Sequence, residues 1–181
     1  NRVNAQNPLE TLRQMAAGYC VSRSLHIVAN LGVADSLDET PLTAAELAAL
    51  VGAHPEALAR VLRLLSGYGV FESSDGKFRH SPASRMLRVD HPHSMRDFVR
   101  MFGLPPFWAT LGEMEQSVRT GLPAGEKVIA GGLWAYFAEH ADANAIFNAA
   151  MGSKAQAHIA GVLAAYDFSQ FKVIGDIGGG R

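Results

Sequence analysis

The sequence predicts a mainly α-helical protein with a small winged-helix β-hairpin, followed by the start of an α/β domain. Apolar residues recur at helical spacing over residues 9–67, and an Asp-Gly turn separates two short segments with strand character at 70–79. An apolar segment at 171–177 then runs directly into a glycine cluster. These observations divide the chain into three parts: residues 8–90, 91–166 and 167–181.

Composition limits the class of protein. The 181 residues are 48% hydrophobic and 18% charged, which is typical of a globular chain. Sixteen Lys and Arg residues face 17 Asp and Glu residues, so the formal net charge of −1 argues against a dedicated nucleic-acid binder. No apolar run reaches the roughly 18 residues that span a bilayer, and a single cysteine excludes an internal disulfide. We expect a cytoplasmic location.

The first two helices have clear boundaries in the sequence. One is predicted over residues 9–31, with Gly32 as its C-terminal stop. The next is predicted over residues 44–51. Thr43 and Glu46 have the spacing of a capping box, in which each side chain bonds the backbone amide of the other residue.

A third helix and a hairpin complete the winged-helix pattern. The helix begins at Pro55 and ends near Gly67, and its apolar stripe lies at helical spacing. Short strands are predicted at 70–72 and 77–79. The stripe consists of Leu58, Val61, Leu62 and Leu65.

A winged helix also suits a DNA-binding regulator. In that alternative the helix beginning at Pro55 enters the major groove and presents Arg60 and Arg63. Glu56 opposes this interpretation because it lies near the helix start, where base contacts usually occur. The same fold serves as a protein–protein module, so the fold alone does not decide between the two.

The middle of the chain is predicted to be helical with glycine-containing loops. Loops are expected at 121–125 and 130–132. The predicted helices cover residues 94–102, 107–119, 133–139, 143–151 and 154–165.

The last part predicts a nucleotide-type turn. A buried-type strand at 171–177 leads into Gly178, Gly179 and Gly180, and Asp176 lies two residues before the first glycine. Glycines at such a turn let the backbone approach a ligand closely. A flexible tail is the alternative.

Four stretches carry a resemblance to a known family. They are LTAAELA at 42–48, LARVLRLL leading into GVF at 58–71, FNAAM at 147–151, and YDFSQF running into VIGDIGGG at 166–180. The sequence resembles the S-adenosylmethionine-dependent O-methyltransferases with an N-terminal winged-helix dimerisation domain, found in plant phenolic and bacterial antibiotic pathways. The first two stretches are generic to winged helices, whereas the order and spacing of the last two are specific to the family.

The resemblance implies an O-methyltransferase of secondary metabolism that acts on a phenolic or polyketide-like hydroxyl. The turn containing Asp176, Gly178, Gly179 and Gly180 would then bind S-adenosyl-L-methionine. Residues 167–181, the third part of the chain, would be the first strand and glycine-rich turn of a Rossmann-like methyltransferase domain. The acceptor and its pathway are not determined by the sequence.

The resemblance also implies an aromatic acceptor pocket. Phe147 and Met151 would line it from one face of a helix, and Met101 and Trp108 are further candidates. Aromatic rings and thioethers suit a flat acceptor. Ordinary core packing is the alternative for all four side chains.

The N-terminal helix, which includes Met15 and Tyr19, would pack against a second subunit, so the resemblance implies a homodimer. No membrane or nucleic-acid partner is expected. The seven histidines show no metal-ligand spacing, and a metal site is therefore not expected.

The sequence departs from the family pattern at its end. The histidine that the family uses as general base would follow Arg181, so no catalytic residue is assigned within the chain. We expect 181 residues alone to be inactive in methyl transfer. Two further alternatives remain: the same fold with hydroxylase- or decarboxylase-like chemistry, and a non-catalytic dimerising or regulatory module.

Overall fold

The structure, a computed structural model, describes residues 7–175 and residue 177, apart from the side chains of residues 154, 156–158 and 160. The chain is mainly helical with one small three-stranded sheet. It forms two compact units that meet in sequence between His91 and Pro92. Among the described residues, no helix combines the length and the apolar character needed to cross a membrane.

The first unit contains three main helices and an antiparallel sheet, in the order that the sequence predicts for helices and hairpin. The sheet has the strand order β1-β3-β2, with Leu42 opposite Phe78 and Phe71 opposite His80. Its elements are α1 (Pro8–Leu31), β1 (Leu42–Thr43), α2 (Ala44–Val51), α3 (Pro55–Gly67), β2 (Phe71–Ser74), β3 (Lys77–His80) and α4 (Pro82–Arg85). The sequence analysis missed β1 and α4, which are too short to show a periodic pattern.

The predicted helix boundaries of this unit are confirmed by its hydrogen bonds. Gly32 ends α1 in the left-handed conformation, with φ of 69°. At the start of α2, the Thr43 amide donates to Glu46 Oε2 at 2.7 Å and the Glu46 amide donates to Thr43 Oγ1 at 3.2 Å. The hydrogen bonds that the Thr43 amide and hydroxyl donate to the Glu46 carboxylate lower the pKa of Glu46. Local side-chain chemistry therefore fixes where these two helices begin and end.

The core of the first unit is tightly closed. Side chains from α1, the loop after α1, α2, α3 and both hairpin strands meet in it and are almost completely buried. The largest of them are Val28, Val33, Leu37, Leu47, Leu62, Leu65 and Phe71. Leu62 and Leu65 belong to the predicted stripe of α3, so its hydrophobic period correctly identifies the buried face.

A buried polar network ties the hairpin to the loop after α1. His80 Nδ1 lies 2.9 Å from Ser84 Oγ, and His80 Nε2 lies 3.1 Å from the Leu37 carbonyl oxygen. The Ser81 amide donates to Ser84 Oγ at 2.9 Å. Burial lowers the pKa of His80, and Arg85 and Arg88 act in the same direction. The neutral imidazole is thus the form that fits this network.

The second unit is helical throughout its regular structure. Its helices are α5 (Arg96–Phe102), α6 (Pro105–Gly112), α7 (Met114–Thr120), α8 (Ala124–Val128), α9 (Gly132–Glu139) and α10 (Ala141–Ala165). Helix α10 packs most extensively against α5. Leu104, Phe137 and Ala143 form its buried cluster.

Three helix predictions in this unit were wrong in detail. The single helix predicted at 107–119 is two helices, because Glu113 leaves the helical conformation with φ of −99° and ψ of 10°. The loop predicted at 121–125 includes the start of α8. The two helices predicted at 143–151 and 154–165 are one, and Ser153 Oγ donates to the Ala149 carbonyl oxygen at 3.1 Å within that continuous helix.

The strand predicted at 171–177 is absent from the part of it that the structure describes, residues 171–175 and 177. Val173 and Ile174 are 87% and 64% exposed. A strand is stabilised by hydrogen bonds to a neighbouring strand, and none of the described strands pairs with this segment. An apolar sequence alone does not create a strand without that partner.

Candidate functional site

Phe147 lies in an aromatic cluster of the second unit. Its ring centroid is 4.7 Å from that of Phe137 and 5.8 Å from that of Trp134, with the Trp134 ring almost perpendicular to it. Trp134 is 73% exposed and Phe147 is half-buried, so the cluster reaches the surface. Such edge-to-face contacts hold rings in defined orientations. The cluster can therefore present a fixed aromatic surface to a flat ligand.

The sequence analysis missed Trp134 and Phe137, which orient Phe147. They lie three residues apart on α9 and so share one face of that helix. The spacing of these two aromatic residues is visible in the sequence. The sequence does not show that α9 faces the start of α10, where Phe147 lies.

Met151 follows Phe147 by one helical turn on α10 and lines an open apolar cleft of about 710 Å³. Ile159, Val162 and Leu163 are each at least half exposed along this cleft. The cleft is lined by Met151, Ala155, Ile159, Val162, Leu163, Phe168 and Ile174. A thioether beside such a surface can adapt to ligands of different outline.

Met101 and Trp108 have different surroundings. Met101 lies on α5 and is only 4% exposed, whereas Trp108 is half-buried on α6. Neither lines the cleft beside Met151 or a further apolar cavity formed by α5, α6, α8 and α9. Their assignment to an acceptor pocket stays a prediction.

A second cavity, of about 420 Å³, lies among α5, α6, α8 and α9. Its walls are almost wholly apolar, and Thr110 supplies its polar side chain. The lining residues are Phe102, Pro106, Phe107, Thr110, Leu111, Gly125, Ile129, Gly132 and Leu133. The sequence analysis did not identify this cavity, because its walls come from four helices that are separated along the chain.

The predicted cofactor-binding residues, Asp176, Gly178, Gly179 and Gly180, lie outside the described residues. The segment that precedes them forms a compact turn after α10. There the Ser169 amide donates to Asp167 Oδ1 at 2.9 Å. Hydrogen bonds from the Ser169 hydroxyl and amide lower the pKa of Asp167.

An exposed apolar ridge follows the first part of α1 in the first unit. Leu9, Leu12, Met15 and Tyr19 are between 56% and 75% exposed. No side chain of this helix is buried before Ser24. Water-exposed side chains of this size on one helix are typical of an association surface.

Potential metal ligands do not cluster in the part of the chain that the structure describes. Its His, Cys, Asp and Glu side chains form no group of three that could hold an ion.

Each of the two units corresponds to the domain of a known family. The family model for the O-methyltransferase dimerisation domain matches residues 13–90, and that for the O-methyltransferase domain matches residues 108–181. The chain belongs to this family of O-methyltransferases.

Two relatives illustrate the similarity. The phenazine O-methyltransferase PhzM of Lysobacter antibioticus is 38% identical over 183 residues, which cover 99% of this chain and 53% of the relative. The mitomycin biosynthesis 6-O-methyltransferase of Streptomyces lavendulae is 36% identical over 174 residues, which cover 95% of this chain and 50% of the relative. The chain spans about half the length of the curated relatives it matches.

Two crystal structures show the same fold. That of LaPhzM superposes with a TM-score of 0.84 at 38% identity, over 92% of this chain and 50% of the other. That of CalO1, a methyltransferase in calicheamicin biosynthesis, was solved with S-adenosylhomocysteine bound. It has a TM-score of 0.77 at 33% identity, over 90% of this chain and 50% of the other.

Proposed function

We propose that the protein carrying this chain is an S-adenosyl-L-methionine-dependent O-methyltransferase that methylates a phenolic or polyketide-like hydroxyl in antibiotic-type secondary metabolism. One observation carries the proposal. A single helix, α10, bears Phe147 and Met151 and leads at its C-terminal end to the segment that precedes Asp176 and the glycines. The acceptor candidates thus lie on the helix that precedes the cofactor candidates in the sequence.

The chain's own residues bind and orient the acceptor in this proposal. The Phe147 ring, fixed by Phe137 and Trp134, stacks on the aromatic body, and the Met151 thioether packs at its edge. Holding the acceptor in one orientation accelerates the reaction, because the entropy of positioning the two reactants is lost on binding and not in the chemical step.

The cofactor, when bound, supplies an electrophilic methyl group on its sulfonium. Asp176, Gly178, Gly179 and Gly180 are the residues that we propose to hold it, on the strength of the sequence motif. The CalO1 structure supports the choice of cofactor, because that relative was crystallised with S-adenosylhomocysteine.

We also infer that the first unit is a winged-helix module through which two copies associate. The support is the match to the dimerisation family model and the exposed ridge of Leu9, Leu12, Met15 and Tyr19 on α1. Burying a large apolar side chain stabilises an interface by about 1.5–3 kcal/mol. We further propose that the dimer is cytoplasmic.

The hairpin gives no support to the DNA-binding alternative. Arg79, an exposed residue of β3, forms an ion pair with Glu72 at 2.7 Å. An arginine already paired with a carboxylate contributes less to phosphate neutralisation than a free one.

Methyl transfer from labelled S-adenosyl-L-methionine to a panel of hydroxylated phenazines and naphthalenes tests the proposal. The assay uses the protein that carries this chain, with S-adenosylhomocysteine binding measured in parallel. Transfer to at least one hydroxyl is expected. Binding of S-adenosylhomocysteine without transfer to any member would favour the non-methylating alternative, and absence of both would overturn the proposal.

The oligomeric state is tested by light scattering on the variant Met15→Asp. A charge in the centre of the ridge should convert a dimer to a monomer, whereas Gln14→Asp, one residue away, serves as the matched control. A protein that is monomeric before mutation, or a variant that stays dimeric, would contradict association through α1.

A further inference from the structure

The 420 Å³ cavity of the second unit has the size of a ligand site. Ligand pockets typically enclose roughly 300–1,000 Å³. Pro106 is buried at its base, and Phe107, Thr110 and Leu133 are half-buried in its walls. Phe102 and Leu111 are 43% and 56% exposed, so these two side chains form its rim.

Two aromatic rings give the cavity a preference for flat ligands. The Phe102 and Phe107 centroids are 5.9 Å apart, and their planes are inclined by 53°. Phe107 and Leu133 also pack against the buried cluster with which Phe147 makes contact. Two wall residues of the cavity therefore pack against the same buried cluster as Phe147, the acceptor candidate.

One hydrogen-bond acceptor is left available on the cavity's side chains. The Thr110 hydroxyl donates its proton to the Pro106 carbonyl oxygen at 2.8 Å, so toward a ligand Oγ1 acts only as an acceptor, through its lone pairs. Two backbone carbonyls of the lining are already used: that of Gly125 accepts from the Ile129 amide, and that of Ile129 accepts from the Gly132 amide, each at 2.9 Å.

The cavity carries no ionisable side chain among its lining residues. The ion pair between Glu113, the cap residue after α6, and Lys127 of α8, at 2.6 Å, involves no lining residue of the cavity. A carboxylate entering such an apolar site would lose hydration without gaining a cation, and this is unfavourable by several kcal/mol.

We infer that this cavity binds an uncharged, planar aromatic group that donates one hydrogen bond, from a hydroxyl or a ring N–H, to Thr110 Oγ1. As a statement about the methyl acceptor, the inference rests on the proposed function. As a statement about a binding site, it rests on the cavity alone.

Isothermal titration of the chain with three naphthalene probes tests this. The probe 1-naphthol is neutral and donates one hydrogen bond, 1-methoxynaphthalene lacks the donor, and 1-naphthoate is anionic. We expect 1-naphthol to bind about 5- to 10-fold more tightly than 1-methoxynaphthalene, because one hydrogen bond changes the dissociation constant by about this factor. The anion should bind at least 10-fold more weakly than 1-naphthol. Equal affinity for 1-naphthol and 1-naphthoate would overturn the inference.

Two pairs of variants locate the site. Thr110→Val removes the hydroxyl and should lower the affinity for 1-naphthol about 5-fold while leaving that for 1-methoxynaphthalene unchanged. Thr120→Val is the matched control, because Thr120 makes the same bond to a carbonyl four residues earlier, at 2.8 Å, on an exposed helix end. If both variants bind 1-naphthol as the parent does, Thr110 is not its partner and the inference is wrong.

Gly125→Leu should fill the cavity and abolish binding of both neutral probes. A Cβ built at Gly125 lies 4.0 Å from Thr110 Oγ1, so the longer side chain extends among the lining residues without a clash at its base. Gly152→Leu, at an open position of α10, is the control. Far-UV circular dichroism confirms that each variant is folded before titration.

Undiminished binding to Gly125→Leu would place the ligand elsewhere and overturn the inference. Failure of the proposed function looks different. In that case the probes would still bind in a way that depends on Thr110 and Gly125, but the protein carrying the chain would transfer no methyl group. The cavity would then remain a binding site, and its ligand would not be a methyl acceptor.

Discussion

The two units use the same helix-rich composition in opposite ways. In the first, large apolar side chains such as Leu62 and Phe71 are almost completely buried, and a polar network around His80 and Ser84 is enclosed with them. In the second, the aromatic cluster around Phe147 reaches the surface at Trp134, and side chains from Met151 onward along α10 border an open cleft. The difference teaches that the first unit, apart from the ridge on α1, encloses its large apolar side chains, whereas the second leaves many of them at open surfaces.

Shortening a side chain should reduce stability most in the core of the first unit. Leu62→Ala is expected to lower the free energy of unfolding by about 2–5 kcal/mol, because it leaves a cavity at a fully buried position. Leu163→Ala, at a 62% exposed position in the second unit, should change it by less than about 0.5 kcal/mol. Urea unfolding followed by circular dichroism measures both, and equal losses would break the contrast between the units.

The buried polar network should come next in size. Ser84→Ala removes the hydroxyl that contacts His80 Nδ1 and accepts from the Ser81 amide, and Ser84 has no exposed surface. We expect a loss of about 1–3 kcal/mol, the cost of unsatisfied buried groups. Ser153→Ala, exposed on α10, is the control in the same unfolding experiment. A loss for Ser84→Ala no larger than for Ser153→Ala would show that the network adds nothing.

The aromatic cluster of the second unit should affect function more than stability. Phe147→Leu keeps apolar volume but loses the ring contacts to Phe137 and Trp134. With the protein that carries this chain, we expect kcat/KM for an aromatic acceptor to fall about 5-fold, equivalent to about 1 kcal/mol. Ile146→Leu, the neighbouring position, is the control. An unchanged kcat/KM would assign Phe147 to core packing alone.

The smallest expected effect is a pH dependence confined to the first unit. Burial lowers the pKa of His80 and of His26 in the folded chain below the unfolded value of about 6.5. The unfolded chain therefore takes up protons first as pH falls, so stability present above pH 6.5 is lost as the pH drops through that value towards the folded pKa.

Urea unfolding at pH 7.5 and 5.5 checks this loss, and His80→Gln should reduce it. His140→Gln is the control, since His140 is exposed in the second unit and its Nδ1–H donates to the Tyr136 carbonyl oxygen. Stability that is equal at both pH values would contradict the assignment of neutral, buried imidazoles.

Sequence patterns succeeded where the determining interaction is local. The Thr43–Glu46 capping box, the left-handed Gly32 and the buried face of α3 follow from residues within one or two turns of each other. The Asp75-Gly76 turn is another case, because both residues adopt positive φ, 52° and 74°, as a tight hairpin turn requires.

Predictions failed where the outcome depends on distant parts of the chain. The apolar segment at 171–175 has the composition of a strand but no strand beside it among the described residues. The break expected near Ser153 did not occur, because the backbone of α10 continues through that position. The assignment of the four acceptor residues stays a prediction: Phe147 and Met151 lie at an open aromatic or apolar surface, whereas Met101 is buried and Trp108 half-buried.

The sequence by itself determined the order of helices and hairpin, their caps, the resemblance to O-methyltransferases and the positions of Phe147 and Met151 on one helix face. The tertiary structure alone decided that Trp134 and Phe137 orient Phe147, and that four helices enclose a cavity around Thr110. The reason is physical: caps and periodicity arise from neighbours in sequence, whereas a cavity consists of the distances between elements whose packing no single segment encodes.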